Sequence, residues 1–194
     1  MKKYIAELVG TFALTLVVAL SLAGHFPIPT PFLAALTLGL FVYSVGHISG
    51  THINPAVTIG AWSIKKISTN TAIAYIAFQF IGASLALFLV GLTVGMPSVT
   101  VTDVWQIGFA ELLGTFFFTF GIASVIYGKT PSQLSGIVVG GSLLLGITIA
   151  ALLGSNGVLN PAVAFGIGSL GFMYVLGPII GSVLGMQLYK WVGN

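Results

Sequence analysis

Hydrophobic residues occur along this chain in long runs that are separated by short polar segments. Six of the runs approach or exceed the roughly 20 residues that an α-helix needs to cross a bilayer; they cover residues 4–24, 32–49, 71–94, 105–127, 133–153 and 172–191. Two shorter apolar segments, 54–64 and 160–170, are too short to cross. The pattern predicts an all-α membrane protein with six transmembrane helices and two re-entrant half-helices.

This plan occurs twice along the chain. The segment "AELVGTFALTL" at 6–16 matches "AELLGTFFFTF" at 110–120, and both half-helices begin with Asn-Pro-Ala-Val, at Asn54 and at Asn160. A single domain with two repeats, about 1–97 and 98–194, is therefore expected. Because each half contains three spans, the second half must be inverted relative to the first. Inverted repeats place a functional site near the middle of the bilayer.

Composition supports a membrane location, since 57% of the residues are hydrophobic and only 5% are charged, whereas soluble domains are about one-quarter charged. All six basic residues are lysines without interleaved aromatic residues, so no nucleic-acid partner is expected. With the N-terminus inside, every lysine falls in a cytoplasmic segment, as the positive-inside rule requires: Lys2, Lys3, Lys65, Lys66, Lys129 and Lys190. The sequence therefore predicts an integral protein of the cell membrane with both termini in the cytoplasm.

The two Asn-Pro pairs indicate where each half-helix begins. Asn is a preferred N-cap, and Pro is favoured at the first helical position. Two half-helices from opposite sides would meet at the centre with their positive N-terminal ends, and the Asn amides would offer N–H groups to a passing molecule. The Gly-rich segments before them, 46–52 and 154–159, are tolerated at membrane depth only where they line a water-filled cavity. The predicted pore residues are Asn54, Pro55, Ala56, Asn160, Pro161 and Ala162.

These motifs resemble the aquaporins and glycerol facilitators, the major intrinsic proteins. The resemblance covers nearly the whole chain and rests on "AELVGTF", "SVGHISGTHINPAVT", "AELLGTF", the second "NPAV" and "GPIIG" at 177–181. It implies an aquaporin-like fold and a homotetramer in the lipid bilayer. Each subunit would have one pore for water or small neutral solutes, and no cofactor. It also implies that Glu7 braces the first re-entrant loop through His52, and that Glu111 braces the second.

One position departs from the pattern of that family. The second motif of the family normally reads Asn-Pro-Ala-Arg, but Val163 follows Ala162 here and the chain contains no Arg. By family spacing, the outer selectivity constriction consists of Ala34, Thr148, Gly157 and Val163. Such a ring would be wide and nearly apolar. It predicts a channel that admits neutral solutes of the size of glycerol or larger.

Other functions are compatible with parts of the pattern. Inverted repeats and discontinuous helices also describe secondary transporters, and a non-conducting structural membrane protein is a third hypothesis. Glu7 and Glu111 are candidate proton-coupling groups in a transporter, although their places one turn into their helices favour a structural brace. An enzyme is not expected, because the chain has no Cys and no Ser-His-acid grouping. His47 and His52 have no carboxylate near them in sequence, so no metal site is predicted.

Overall fold

Helices form every regular element of the protein in a computed structural model that describes residues 1–24 and 27–193. In chain order they are α1 (Lys2–Ala23), α2 (Thr30–Ser49), α3 (Pro55–Ser63), α4 (Thr69–Thr93), α5 (Trp105–Ile126), α6 (Ser135–Leu152), α7 (Pro161–Gly166) and α8 (Met173–Val192). A short 3-10 turn, Ser132–Leu134, precedes α6. Six of these helices are long and apolar enough to cross a membrane. The predicted all-α membrane fold is confirmed.

Corresponding helices of the two halves pack in corresponding ways. Helix α1 packs against α4, and α5 packs against α8. Glycine permits both close approaches, since a Cβ at Gly82 would collide with the Leu8 carbonyl and a Cβ at Gly181 with the Leu112 carbonyl. Each half-helix packs on the last long helix of the other half, α3 on α8 and α7 on α4. The two half-helices are thereby held together at the middle of the bundle.

The second half-helix is shorter than the sequence predicted. It ends at Gly166, whereas the apolar run continues to residue 170. Gly168 adopts a left-handed conformation with φ 73°, and the Ser169 N–H donates to the Ala164 carbonyl at 2.8 Å. This turn is the Schellman arrangement that ends helices. Hydropathy predicts the extent of the apolar run, but it does not predict the turn at which the helix ends within that run.

Large apolar side chains cover the outside of the bundle. Phe88 is 67% exposed, Ile137 66% and Leu152 83%. Soluble monomers rarely carry contiguous exposed apolar surfaces of this extent, so this surface fits the hydrocarbon of a bilayer. The interior instead contains buried polar groups, among them Glu7 and Glu111, which are fully shielded. These buried polar groups lie inside an otherwise apolar bundle, and the candidate site is therefore sought around them.

Candidate functional site

Two asparagines cap the half-helices at the centre of the bundle. The Asn54 Oδ1 accepts from the Ala56 N–H at 2.8 Å, and the Asn160 Oδ1 accepts from the Ala162 N–H at 3.1 Å. Pro occupies the first position of each half-helix, where its missing N–H leaves no helical hydrogen bond unmade. Both caps therefore form as the sequence predicted.

Each asparagine also contacts the loop of the opposite half. The Asn54 Nδ2 donates to the Leu159 carbonyl at 2.9 Å, and the Asn160 Nδ2 donates to the Ile53 carbonyl at 3.0 Å. These reciprocal bonds join the two repeats across the centre. An Asn amide has two N–H groups, so each side chain retains one N–H after this bond. Both asparagines border the same cavity.

The carbonyls that accept these bonds belong to residues with unusual backbone angles. Ile53 has φ 39° and Leu159 has φ 55°. A non-glycine residue with positive φ is uncommon, and for a β-branched residue such as Ile it is an outlier that costs on the order of 1–3 kcal/mol. The surrounding contacts must hold both residues in place. Two buried carboxylates provide those contacts.

Glu7 accepts four hydrogen bonds around the first loop. They come from the Ser49 hydroxyl at 2.7 Å, the His52 N–H at 2.9 Å, the Ile53 N–H at 2.6 Å and the Gln79 side-chain amide at 2.7 Å. Both carboxylate oxygens are occupied in this way. The contact to His52 runs through its backbone N–H, while the imidazole Nδ1 lies 3.1 Å from the Thr58 hydroxyl.

Glu111 occupies the matching place in the second half. Its oxygens accept from the Ser155 hydroxyl, from the Val158 N–H at 3.0 Å and from the Leu159 N–H at 2.7 Å. The two glutamates thus contact the loops that the sequence assigned to them. Because both carboxylates are engaged by loop donors, this geometry favours a brace over a freely titrating group.

Sequence reasoning missed two members of the first network, Gln79 and Thr58. The Gln79 amide also donates to the Thr58 hydroxyl at 2.9 Å, and both side chains are fully buried. A signal was present, since Gln79 is the single amide side chain in the apolar segment "IAFQFIG". A buried amide in a membrane helix needs a hydrogen-bond partner. The sequence alone did not show that this partner is Glu7.

A cavity of about 280 Å³ runs from the two asparagines toward the end of the bundle where α1 ends and α2 begins. The topology predicts that this end is extracellular, and we call the space the outer cavity. Three of the four predicted constriction residues lie on its wall: Ala34, Gly157 and Val163. His52 also borders it near the centre.

The fourth predicted constriction residue, Thr148, is a correction. Ile147 lies on the cavity wall in its place, whereas Thr148 is exposed on the outside of α6 and donates to the Leu144 carbonyl at 2.8 Å. One residue rotates a side chain by about 100° around a helix. Counting by family spacing was therefore wrong by one position, which assigned a residue of the exposed face of α6 to the cavity wall.

Polar side chains border the outer cavity in two places. Thr30 and Asn156 lie at its mouth, and His52, Asn54 and Asn160 lie at the centre. The side chains of Ala34, Ile147 and Val163 between them are apolar. Among the described residues, no charged side chain lines this wall, and no group of three potential metal ligands occurs in the described ranges. The cavity suits a small neutral molecule that sheds part of its water.

Comparisons with known proteins agree with this geometry. The family described as "MIP: Major intrinsic protein" matches residues 1–189. Aquaporin AqpM of Methanothermobacter thermautotrophicus is 32% identical over 98% of this chain and 97% of its own. Probable aquaporin AqpM of Archaeoglobus fulgidus is 33% identical over 100% of this chain and 97% of its own. The X-ray structure of the aquaglyceroporin from Plasmodium falciparum shares the fold with a TM-score of 0.69 and 22% identity, covering 98% of this chain and 96% of that one.

The fold and the paired asparagine caps define a membrane channel with two re-entrant half-helices. This chain belongs to the major intrinsic protein family. Members of this family are passive channels, so the protein is an integral membrane channel and not an enzyme. The predicted family resemblance is confirmed.

Proposed function

We propose that this protein conducts water and small neutral solutes passively through a wide, nearly apolar outer constriction. The observation that carries the proposal is the pair of asparagines, because Asn54 and Asn160 border one cavity and each retains an amide N–H. A solute that has lost part of its hydration shell at the centre can accept hydrogen bonds from these N–H groups. The positive ends of two half-helices at the same place disfavour cations.

The constriction consists of Ala34, Ile147, Gly157 and Val163 in this proposal. The three side chains present are apolar, and the chain has no Arg that could add a fixed charge. Leu159 does not obstruct the path, since its side chain packs against Gly114 and Gly146 between α5 and α6. An arginine guanidinium would supply five N–H donors, and a constriction without them orients solutes weakly. Glycerol and urea are therefore expected to pass with little discrimination.

We also propose a homotetramer with both termini in the cytoplasm. The apolar outer surface of the bundle supports contact with lipid and with further copies, and the distribution of lysines supports the orientation. Each subunit has its own cavity, so each would conduct separately. A coupled transporter has less support, because the oxygens of Glu7 and Glu111 accept hydrogen bonds from loop residues.

Light-scattering assays on proteoliposomes test the channel. The wild type is expected to pass water, urea and glycerol with weak temperature dependence and without ion coupling. Val163→Arg should reduce glycerol and urea flux by about tenfold, roughly 1.4 kcal/mol of barrier, and spare water. Val163→Leu is the matched control that adds bulk without charge. A wild type that passes water but excludes glycerol contradicts the wide constriction, and one that passes nothing contradicts the channel.

Cysteine scanning tests which residue of α6 faces the path, because the protein has no native Cys. Ile147→Cys is expected to lose most of its flux after treatment with a small thiol reagent. Thr148→Cys, one position along and on the exposed face, should keep its flux after the same treatment. A block at position 148 and none at 147 would restore the original assignment. Gly157 is a poor site for this test, since a Cβ there would lie 2.9 Å from the Ile147 carbonyl oxygen.

A further inference from the structure

Asn156 connects three separate segments at the mouth of the outer cavity. Its Nδ2 donates to the Thr100 carbonyl at 3.0 Å and to the Ser169 hydroxyl at 3.3 Å. Its backbone N–H donates to the Tyr174 hydroxyl at 3.4 Å. Thr100 belongs to the segment between α4 and α5, and Ser169 follows α7. Both amide N–H groups of Asn156 are therefore used to hold other parts of the chain.

The residues held in this way adjoin the wall of the cavity. Val99 precedes Thr100, Ile167 lies two positions before Ser169, and both line the cavity together with Asn156 itself. The segment 95–104 contains no helix or strand, so hydrogen bonds of its own secondary structure do not fix its position. Its far end is anchored where Asp103 accepts from the Phe172 and Met173 N–H groups. Asn156 supplies a second anchor, close to Val99.

The internal repeat has glycine at the position that corresponds to Asn156. Asn156 lies four residues before Asn160, and Gly50 lies four residues before Asn54. In the first half Gly50 ends α2 in a left-handed conformation with φ 87°, whereas in the second half Gly154 has φ 90° and Asn156 is not among the positive-φ residues. The asparagine is thus an addition on the outer side only. Its side-chain amide reaches the 95–104 segment and the turn after α7, which adjoin the mouth of the cavity.

We propose that Asn156 is a specificity-determining residue that positions the 95–104 segment so that Val99 narrows the mouth of the outer cavity. Val99 then acts before the apolar constriction and limits which solutes reach it. This inference rests on the proposed channel function for its effect on flux. Its structural part, the placement of Val99, does not depend on conduction.

Removal of the amide should widen the mouth. In proteoliposomes, Asn156→Ala is expected to raise the permeability of xylitol relative to water by about three- to tenfold, as for the loss of one or two neutral hydrogen bonds. Asn156→Asp keeps the shape of the side chain but removes both N–H donors, so it should act in the same direction. Asn70→Ala, which removes an exposed asparagine at the opposite end of the bundle, should change nothing.

A double-mutant cycle identifies the contact responsible. Ser169→Ala removes one acceptor of the Asn156 amide and should give a smaller increase in the xylitol-to-water ratio. In the Asn156→Ala background the same change should add nothing, because the shared contact is already lost. Equal and additive effects, or an unchanged ratio in both Asn156 variants, would overturn the proposal.

A readout that does not require conduction separates this inference from the proposed function. Val99→Cys provides the only thiol in the chain, and its labelling by an impermeant maleimide reports access from outside. Labelling should be faster in Val99→Cys/Asn156→Ala than in Val99→Cys alone. Faster labelling in a protein that passes no solute would contradict the channel but retain the positioning role. Equal rates with a normal wild-type flux would remove the role of Asn156 and leave the channel intact.

Discussion

The two re-entrant loops share a backbone arrangement but differ in the side chains around it. In each loop a buried glutamate accepts two consecutive backbone N–H groups and one serine hydroxyl. In the first loop only, Gln79 adds a fourth donor. Its counterpart in the second half is Pro178, by the same spacing that relates Tyr75 to Tyr174 and Gly82 to Gly181. The proline side chain has no hydrogen-bond donor, so the second carboxylate lacks this contact.

The difference extends to the neighbouring positions. Thr58 and His52, which bond to each other in the first half, correspond to Ala164 and Val158 in the second. The first loop is therefore held by a network of polar side chains that the second loop lacks. What both halves retain is a serine hydroxyl bond to a carboxylate and, beside it, a pair of backbone N–H bonds to the same carboxylate. This pair is the common requirement for holding a left-handed residue before each Asn-Pro.

The largest expected effect tests that common requirement. Glu7→Ala and Glu111→Ala each leave two buried backbone N–H groups without an acceptor, at about 1–3 kcal/mol per group. Both variants should lose several kcal/mol of unfolding free energy in mixed micelles, and Glu7→Ala should lose more because the Gln79 amide also loses its bond to the carboxylate. Similar stability of either variant and wild type would show that the loop does not depend on its carboxylate.

A smaller effect tests the difference between the halves. Gln79→Leu removes the hydrogen bond to the Glu7 carboxylate, for which about 1.5–3 kcal/mol is typical, and the neutral bond to the Thr58 hydroxyl. Pro178→Ala, at the corresponding position of α8, removes no donor and should not destabilise the protein. Unfolding in mixed micelles measures both. Equal losses at the two positions would mean that the Gln79 amide contributes nothing specific to the first half.

The smallest effect concerns the ends of the half-helices. Lys65 after α3 and Gly168 after α7 are both left-handed, with φ 63° and 73°. Lys65→Gly should stabilise the protein by about 0.5–1 kcal/mol, since glycine adopts this conformation without a steric cost. Gly168→Ala should destabilise it by a similar amount, although no atom lies within 4 Å of the added Cβ. Thermal unfolding of the two variants measures the opposite signs; shifts of the same sign would contradict this account.

Several features of the channel followed from local sequence alone. The six spans follow from the length of the apolar runs, and the start of each half-helix follows from Asn-Pro, because capping involves only neighbouring residues. The Glu7 and Glu111 braces, in contrast, were implied by the resemblance to the family; the repeat showed only that each glutamate lies at the same point of its half. The unusual Val163 was visible as a departure from a motif.

Tertiary structure decided the contacts between residues that are distant along the chain. The bond from Asn54 to the Leu159 carbonyl, the bond from Gln79 to Glu7 and the bond from Asn156 to the Thr100 carbonyl each join different segments. No local pattern specifies such pairs, since they depend on how helices cross and on how loops enter the bundle. The choice between Ile147 and Thr148 has the same origin. Rotation of α6 around its axis is set by packing against α2 and α5, and a one-residue difference in counting places a side chain on another face.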